Sequence, residues 1–307
     1  MGVILSNLLT EQCNERTRNI DQLEIREIVE MMNNEDQTVS MSVKQVLPDI
    51  SRSAEIILEA MRDGGRLFYT GAGTSGRLGV LDAAECPPTF RTPHELVQGI
   101  MAGGEGAMFR AVEGAEDDPK AGADDLKERK LTEKDVVVGI AASGRTPYVI
   151  GALQYAREIG AKTIALACNK NAEISQYADQ KIEVLVGPEV LTGSTRLKAA
   201  TAQKMILNML STSVMIKLGK VYRNLMVDLH ASNSKLLERA RQIVIAITGV
   251  DYETAAHYLK LTDQHVKPAI VMIEGKVSYE EANLLLNNAE QSVAKALELL
   301  TEQNGVK

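Results

Sequence analysis

Two glycine-rich turns, each joining an apolar run to a helical pattern, are the first candidates for binding chemistry in this sequence. The first turn, 71–76, follows the apolar run 66–69. Its glycines allow a sharp entry into a helix, whose unpaired N–H groups and positive dipole attract an anion. The hydroxyls of Thr74 and Ser75 would contact that anion, and the Gly-Lys-Ser/Thr ending of an ATP-binding loop is absent. The turn therefore indicates a small phosphorylated ligand, with a turn that binds nothing as the alternative.

The second turn, 141–147, has the same form. It follows the apolar run 136–140 and precedes another helical pattern. Carboxyl ends of parallel strands lie at one edge of a sheet, so both turns can bind one phosphate there. The alternative is that Ser143 and Thr146 only cap their helix.

Two glutamates could supply acid–base chemistry. Glu85 lies just before Pro87 and Pro88. We expect these prolines to end the helix that starts at the first turn and to favour extended geometry at Cys86. The negative end of the helix dipole would then disfavour ionisation of Glu85, which suits a general acid. Glu116 belongs to the acidic turn 113–118 and could act as a base. A solvated acidic loop is the alternative for Glu116.

The composition is that of an acidic globular chain. It has 307 residues and a formal net charge of -7 without a basic cluster, so neither nucleic acid nor a membrane surface is an expected partner. No apolar run approaches the roughly 20 residues of a membrane span, and no signal-peptide pattern is present. The three separated cysteines favour a cytoplasmic protein. The four histidines lack metal-ligand spacing, so we expect no metal and no other cofactor.

Alternating apolar runs and helical patterns predict an α/β fold. A doubly wound, five-stranded parallel sheet is expected from the runs 67–70, 96–101, 136–141, 163–167 and 182–186. We divide the chain into an N-terminal helical arm at 1–55, an α/β domain at 56–229 and a small all-helical domain at 230–307. Helices are expected at 23–32, 42–60, 194–218, 235–248, 251–260, 265–274 and 278–301.

With these blocks in view, the sequence resembles the N-acetylmuramic acid 6-phosphate etherases of the sugar isomerase (SIS) domain superfamily almost from end to end. The resemblance rests on five ordered blocks: GAGTSGRLG at 71–79, DAAECPPTF at 82–90, AGG at 102–104 with EGAEDD at 113–118, ASGRTPY at 142–148 and LTGSTRLK at 191–198. Ala200 stands where the family typically has Gly. Cys13 stands where an Arg is common, which weakens any substrate role for the arm.

The resemblance implies cleavage of the lactyl ether of N-acetylmuramic acid 6-phosphate, in recycling of cell-wall amino sugars. It implies that Glu85 protonates the departing lactate and that Glu116 removes the C2 proton. If Glu116 is not the base, Glu189 is the next candidate. The implied substrate-binding residues are Thr74, Ser75, Gly76, Ser143, Gly144, Arg145, Thr146, Ser194 and Lys198. No metal or cofactor is implied, and the related domains pair, so a homodimer with a shared site is expected.

Two other functions stay open from the residues. An aldose–ketose isomerase on the same fold would also abstract a C2 proton, but it needs no acid for a leaving group. A catalytically silent sugar-phosphate sensor, as the related glucokinase regulatory protein is, needs the phosphate loops and neither glutamate. The presence of both Glu85 and Glu116 in their blocks favours the etherase.

Overall fold

The computed structural model describes residues 8–228 and 234–305. The chain divides into two units. The first contains the described residues up to Ala84 together with His94–Ser211, and the second contains Glu85–Pro93 together with the described residues from Thr212 onward. The boundary that the sequence suggests between residues 229 and 230 lies outside the described residues.

A five-stranded parallel sheet forms the core of the first unit. The strands are β1 (Leu67–Gly71), β2 (Val97–Met101), β3 (Val136–Ala141), β4 (Lys162–Ala167) and β5 (Gln180–Glu183), in the order β2-β1-β3-β4-β5. Their side chains are largely buried, as expected of parallel strands covered on both faces. The predicted α/β class and five-stranded parallel sheet are confirmed. The fifth strand, Gln180–Glu183, begins two residues before and ends three residues before the predicted 182–186, because the apolar run continues beyond the segment that pairs with β4.

Helices surround this sheet. Residues 25–62 form α1 (Ile25–Gln45) and α2 (Leu47–Arg62), so α1 continues through residues 33–41, which separate two helices in the prediction. A capping box at Glu24 and Glu27 starts α1. The remaining helices are α3 (Gly73–Phe90), α4 (Pro119–Glu128), α5 (Pro147–Ile159) and α6 (Lys198–Lys217), of which α3 and α6 continue into the second unit.

The end of α3 corrects the prediction made from its two prolines. Pro87 and Pro88 lie inside the helix, which continues to Phe90. Each proline removes one N–H donor but has a helical φ, so the helix can continue where later groups still pair. Here the N–H of Arg91 donates to the carbonyl of Pro87 at 2.9 Å. Glu85 is therefore not at the helix end, and the argument from the helix dipole does not apply to it.

The second unit is mainly helical. It contains α7 (Ser234–Thr248), α8 (Tyr252–Leu261), α9 (Val266–Gly275), α10 (Tyr279–Asn288) and α11 (Val293–Gly305), preceded by a hairpin of β6 (Val221–Tyr222) and β7 (Leu225–Met226). Its apolar core includes Val244, Leu259, Ile270, Leu286 and Val293. No described helix combines the length and apolarity needed to cross a bilayer.

The helix expected at 278–301 is instead two helices, α10 and α11. Glu290 and Gln291 adopt φ values of 53° and 63°, in the left-handed region that ends helices. The N–H of Gln291 also donates back to the carbonyl of Leu286 at 2.7 Å. Neither residue is a glycine, so the break carries no signal that we could identify in the sequence.

Candidate functional site

The first glycine-rich turn connects β1 to α3 within a very small space. A Cβ atom at Gly76 would lie 2.6 Å from the carbonyl oxygen of Gly71, and Gly73 has a φ of +52°. Only glycine allows this close approach, so the start of α3 lies directly against the end of β1. The first-turn N–H groups of α3 are therefore available at the carboxyl edge of the sheet.

The two hydroxyl residues of this turn differ in their surroundings. Thr74 is half-buried. Ser75 is buried, and its Oγ donates to Oε1 of Gln203 on α6 at 2.9 Å. The Nε2 atom of Gln203 has no hydrogen-bond partner among the described residues. The hydroxyl of Ser75 thus already connects α3 to α6, and sequence reasoning had not identified Gln203.

The second turn connects β3 to α5. Gly144 has a φ of +76°, and its N–H donates to the carbonyl of Ala141 at 3.0 Å. Oγ of Ser143 accepts from the N–H of Arg145 at 3.3 Å. Thr146 is the N-cap residue of α5, but its side chain makes no capping hydrogen bond. Capping alone therefore does not account for the hydroxyl of Thr146.

The sheet places the two turns side by side. β1 and β3 are neighbours, with Gly71 in register with Ile140. The strand order reverses at this point, because β1 leads to β2 on one side and β3 leads to β4 on the other. Such a reversal creates the crevice in which open α/β sheets bind ligands.

The structure also brings Glu116 next to the first turn. A cavity of about 300 Å³ is lined by Gly73 at the start of α3 and by Glu116. Glu116 lies in the short 3-10 turn Ala115–Asp117, and its side chain is exposed. Arg77 also lines the cavity. Its guanidinium donates to the carbonyls of Ala107 and Met108 at 2.7 and 3.0 Å and so holds the loop that precedes Glu116 in the chain.

Glu85 is placed in the second unit, whereas the other candidate site residues lie in the first. Its side chain is exposed on α3. Exposure leaves this carboxylate accessible to a ligand.

Lys198 points into the protein. Its side chain is 1 % exposed, and Nζ donates to Oε2 of Glu35 on α1 at 2.8 Å. Oε1 of Glu35 accepts from Nε of Arg16 at 2.5 Å. Burial alone would raise the pKa of Glu35, but the hydrogen bonds from Arg16 and Lys198 outweigh it and lower the pKa to about 2. The ammonium of Lys198 is thus held in a buried ion cluster.

Glu189 caps α6 rather than facing an open space. Its side chain is fully buried, and its two carboxylate oxygens accept from the N–H groups of Lys198 and Ala199, both at 2.9 Å. Burial raises the pKa of Glu189, and these hydrogen bonds oppose the increase. Ser194, which precedes α6, is half-buried.

A second cavity, of about 390 Å³, lies at the ends of β3 and β4. It is lined by Ser143 and Arg145 of the second turn, by Asn169 and Lys170 after β4, and by residues near the N-terminus that include Leu8. Sequence reasoning missed Asn169, although it follows a buried strand as the two turns do. No group of three or more His, Cys, Asp or Glu side chains within 8–228 and 234–305 is placed to hold a metal ion.

Comparison with known proteins identifies related domains and a related fold. The model of the glucokinase regulatory protein N-terminal SIS domain matches residues 49–157, and the SIS domain model matches residues 121–213. A phosphoheptose isomerase from Neisseria gonorrhoeae shares the fold with a TM-score of 0.50 and 18% sequence identity, over 62% of this chain and 98% of that one.

Curated relatives match over nearly the whole chain. The N-acetylmuramic acid 6-phosphate etherase of Geobacillus sp. (strain WCH70) is 57% identical over 96% of this chain and 100% of its own length. That of Clostridium beijerinckii is 54% identical over 96% of this chain and 97% of its own. This similarity shows that the chain belongs to the N-acetylmuramic acid 6-phosphate etherase family and that its α/β unit is a SIS domain.

Proposed function

We propose that this enzyme, a carbon–oxygen lyase, cleaves the D-lactyl ether of N-acetylmuramic acid 6-phosphate. Water is the second substrate, and the products are N-acetylglucosamine 6-phosphate and D-lactate, in the recycling of cell-wall amino sugars. The relatives of that name match this chain end to end. The observation that carries the proposal for the site is the cavity lined by both Gly73 and Glu116, because it combines an anion-binding helix start with a carboxylate.

Glu116 would act as the base and Glu85 as the acid in this reaction. In the open-chain aldehyde the carbonyl acidifies the C2 proton, and Glu116 removes it. Glu85 donates a proton to the ether oxygen as the bond from C3 to that oxygen breaks, and lactate leaves with the oxygen. The intermediate is an unsaturated aldehyde. Glu85 then takes a proton from water, hydroxide adds to C3, and Glu116 returns a proton to C2, so both carboxyl groups regain their initial states.

The substrate phosphate would lie between the two turns. Thr74 and Thr146 are half-buried, which supports this role, while the hydroxyl of Ser75 is shared with Gln203. Gly76 is buried and its N–H donates to the carbonyl of Ala72, so it would act by shaping the first turn. Of the remaining proposed residues, Gly144 shapes the second turn and Lys198 would act through its ion cluster rather than by direct contact. The proposed set is completed by Ser143, Arg145 and Ser194.

Release of D-lactate from N-acetylmuramic acid 6-phosphate tests the proposed reaction, with the unphosphorylated sugar as the control. Release from the phosphorylated sugar alone is expected. Glu85→Gln should lower the rate about 100- to 10,000-fold, the usual contribution of a positioned acid. The matched control Glu95→Gln, at another exposed glutamate, should keep the wild-type rate. Wild-type turnover by Glu85→Gln would exclude this role.

Exchange of the C2 hydrogen with deuterated solvent tests the base. Glu116→Gln should slow this exchange, because no carboxylate then reaches C2. Asp117→Asn, the next residue of the same exposed turn, should exchange at the wild-type rate. Exchange that is equally fast in Glu116→Gln would assign the base to another residue.

We also propose a cytoplasmic homodimer with a shared active site. The exposed apolar side chains of Ile25, Val29 and Met41 on α1 support an interface, and the absence of a disulfide among the three cysteines supports a reducing compartment. Mixing the inactive Glu85→Gln and Glu116→Gln proteins should restore part of the activity if the two carboxylates of one site come from different subunits. The division into an arm at 1–55, a SIS domain at 56–229 and a helical domain at 230–307 remains part of this proposal.

A further inference from the structure

Asn169 connects the N-terminal segment, residues 8–17, to the second glycine-rich turn. Its side chain is buried, two residues after the end of β4. Oδ1 accepts from the N–H of Leu9 at 2.6 Å, and Nδ2 lies within hydrogen-bond distance of Oγ1 of Thr10 at 3.1 Å. The same Nδ2 is directed at the carbonyls of Ala142 and Ser143, at 3.1 and 3.4 Å. One amide group thus holds both pieces of chain.

These contacts fix the orientation of the turn. The carbonyl of Ala142 accepts from Nδ2 of Asn169 and from the N–H of Cys168, the latter at 3.0 Å. In a planar trans peptide the carbonyl and the following N–H point in opposite directions. The N–H of Ser143 is therefore directed away from Asn169, and the rest of the turn continues from that peptide plane.

The other end of the N-terminal segment is anchored to the loop after β5. Oγ1 of Thr17 donates to the carbonyl of Val190 at 2.7 Å, and Nδ2 of Asn14 lies 3.5 Å from the carbonyl of Pro188. Between its two anchors the segment forms a wall of the 390 Å³ cavity, to which it contributes Leu9 and Gln12 beside Arg145. The segment is thus held at both ends beside the turn that we assign to the phosphate.

We propose that Asn169 is a positioning residue for the phosphate-binding turn 142–146, and that the N-terminal segment is part of the substrate site through it. This inference rests on the proposed function, because it takes the turn 142–146 to bind the substrate phosphate. Asn169 acts on the ligand only through the turn. Removal of its hydrogen bonds leaves the carbonyl of Ala142 held by the N–H of Cys168 alone and takes this donor away from the carbonyl of Ser143.

Calorimetric titration with inorganic phosphate and with N-acetylmuramic acid 6-phosphate tests this inference, because it does not depend on catalysis. Asn169→Leu removes all the hydrogen bonds at similar size, and Asn169→Asp keeps acceptors for Leu9 and Thr10 but loses the donor to the carbonyls of Ala142 and Ser143. Both should weaken the two affinities about ten-fold or more, as misplacement of a binding group does. The matched control is Thr163→Val, at the opposite end of β4, where a fully buried hydroxyl pairs with Asp179.

Thr163→Val should lower thermal stability yet keep both affinities, whereas the Asn169 variants should lose affinity and show a raised KM. Unchanged affinities in a folded Asn169→Leu protein, or an equal loss in Thr163→Val, would overturn the inference. If Asn169→Leu does not fold, Thr10→Val serves in its place, since it removes only the hydroxyl oxygen facing Asn169. An unchanged KM in Thr10→Val would likewise exclude the segment from the site.

The same titrations separate this inference from the proposed function. A wild-type protein that binds N-acetylmuramic acid 6-phosphate and releases no D-lactate refutes the etherase reaction, while the affinities of the variants still decide the role of Asn169. A wild-type protein that binds neither ligand refutes the assignment of the turn 142–146 to phosphate, and the inference is then overturned with it.

Discussion

Replacement of Glu35 by glutamine should remove a pH-dependent part of the stability. The carboxylate of Glu35 is 5 % exposed and lies between the guanidinium of Arg16 and the ammonium of Lys198, which is 1 % exposed. Its pKa is lowered from an ordinary 4.5 to about 2 in the folded protein. This difference between the folded and unfolded states corresponds to about 3 kcal/mol of free energy of unfolding at pH 7.

The direction of the pKa shift of Glu35 decides at which pH the carboxylate stabilises the folded protein. Because the folded pKa is lower than the unfolded one, the contribution of Glu35 is fully present above pH 4.5 and is lost as the pH falls toward 2. Glu35→Gln lacks this contribution at every pH and leaves the ammonium of Lys198 buried without a carboxylate. The difference in stability between the wild type and Glu35→Gln should therefore fall by about 2 kcal/mol between pH 7 and pH 3, in addition to a pH-independent part that comes from the unpaired ammonium.

Urea denaturation followed by circular dichroism at pH 7, 5, 4 and 3 measures this difference. Glu15→Gln is the matched control, because Glu15 and Arg18 form an exposed ion pair near the same part of the chain. That variant should unfold as the wild type does at every pH, since exposed pairs contribute little. A difference between the wild type and Glu35→Gln that stays constant from pH 7 to pH 3 would refute the reasoning.

Two further outcomes are expected. Gly99→Ala should lower the free energy of unfolding by about 2 kcal/mol or more, because the new Cβ would lie 2.4 Å from a backbone atom of α3. Gly106→Ala, where the new Cβ would meet open space, should keep the wild-type stability. Equal urea denaturation midpoints for the two variants would contradict this packing. Iodoacetamide should modify the exposed Cys13 first, because Cys86 is buried and burial raises the pKa of the Cys168 thiol. Mass spectrometry measures the order of labelling, and early labelling of Cys168 in the native protein would contradict this prediction.

The strands of the sheet could be predicted because their signal is local. Each of the residues Val136, Val137 and Val138 is fully buried, so β3 reads as a continuous apolar run bounded by polar residues. The end of α3 could not be predicted in this way. Two prolines normally end a helix, but burial of Cys86 and Phe90 on the last turn accompanies its continuation here.

In the candidate site, too, local features could be predicted from the sequence and distant pairings could not. The two glycine-rich turns were predictable, because glycine spacing and strand ends are properties of a few adjacent residues. The partner of Lys198 is Glu35, 163 residues away, and the partner of Asn169 is Leu9, 160 residues away. Neither pairing leaves a pattern in the sequence. The sequence could thus indicate Lys198 as a site residue, but not that its charge is neutralised inside the protein.

The second unit consists of two separate segments of the chain, and this affects how it folds. Its two stretches, Glu85–Pro93 and the residues from Thr212 onward, are separated by roughly 120 residues, so their encounter carries a loop-closure cost on the order of 4 kcal/mol. During synthesis on the ribosome the first stretch must wait until β2 to β5 and most of α6 have been translated. A fragment that begins at Thr212 would lack Cys86 and Phe90, both of them buried in the full chain. Expression of this unit by itself therefore calls for the short stretch to be fused back onto the fragment.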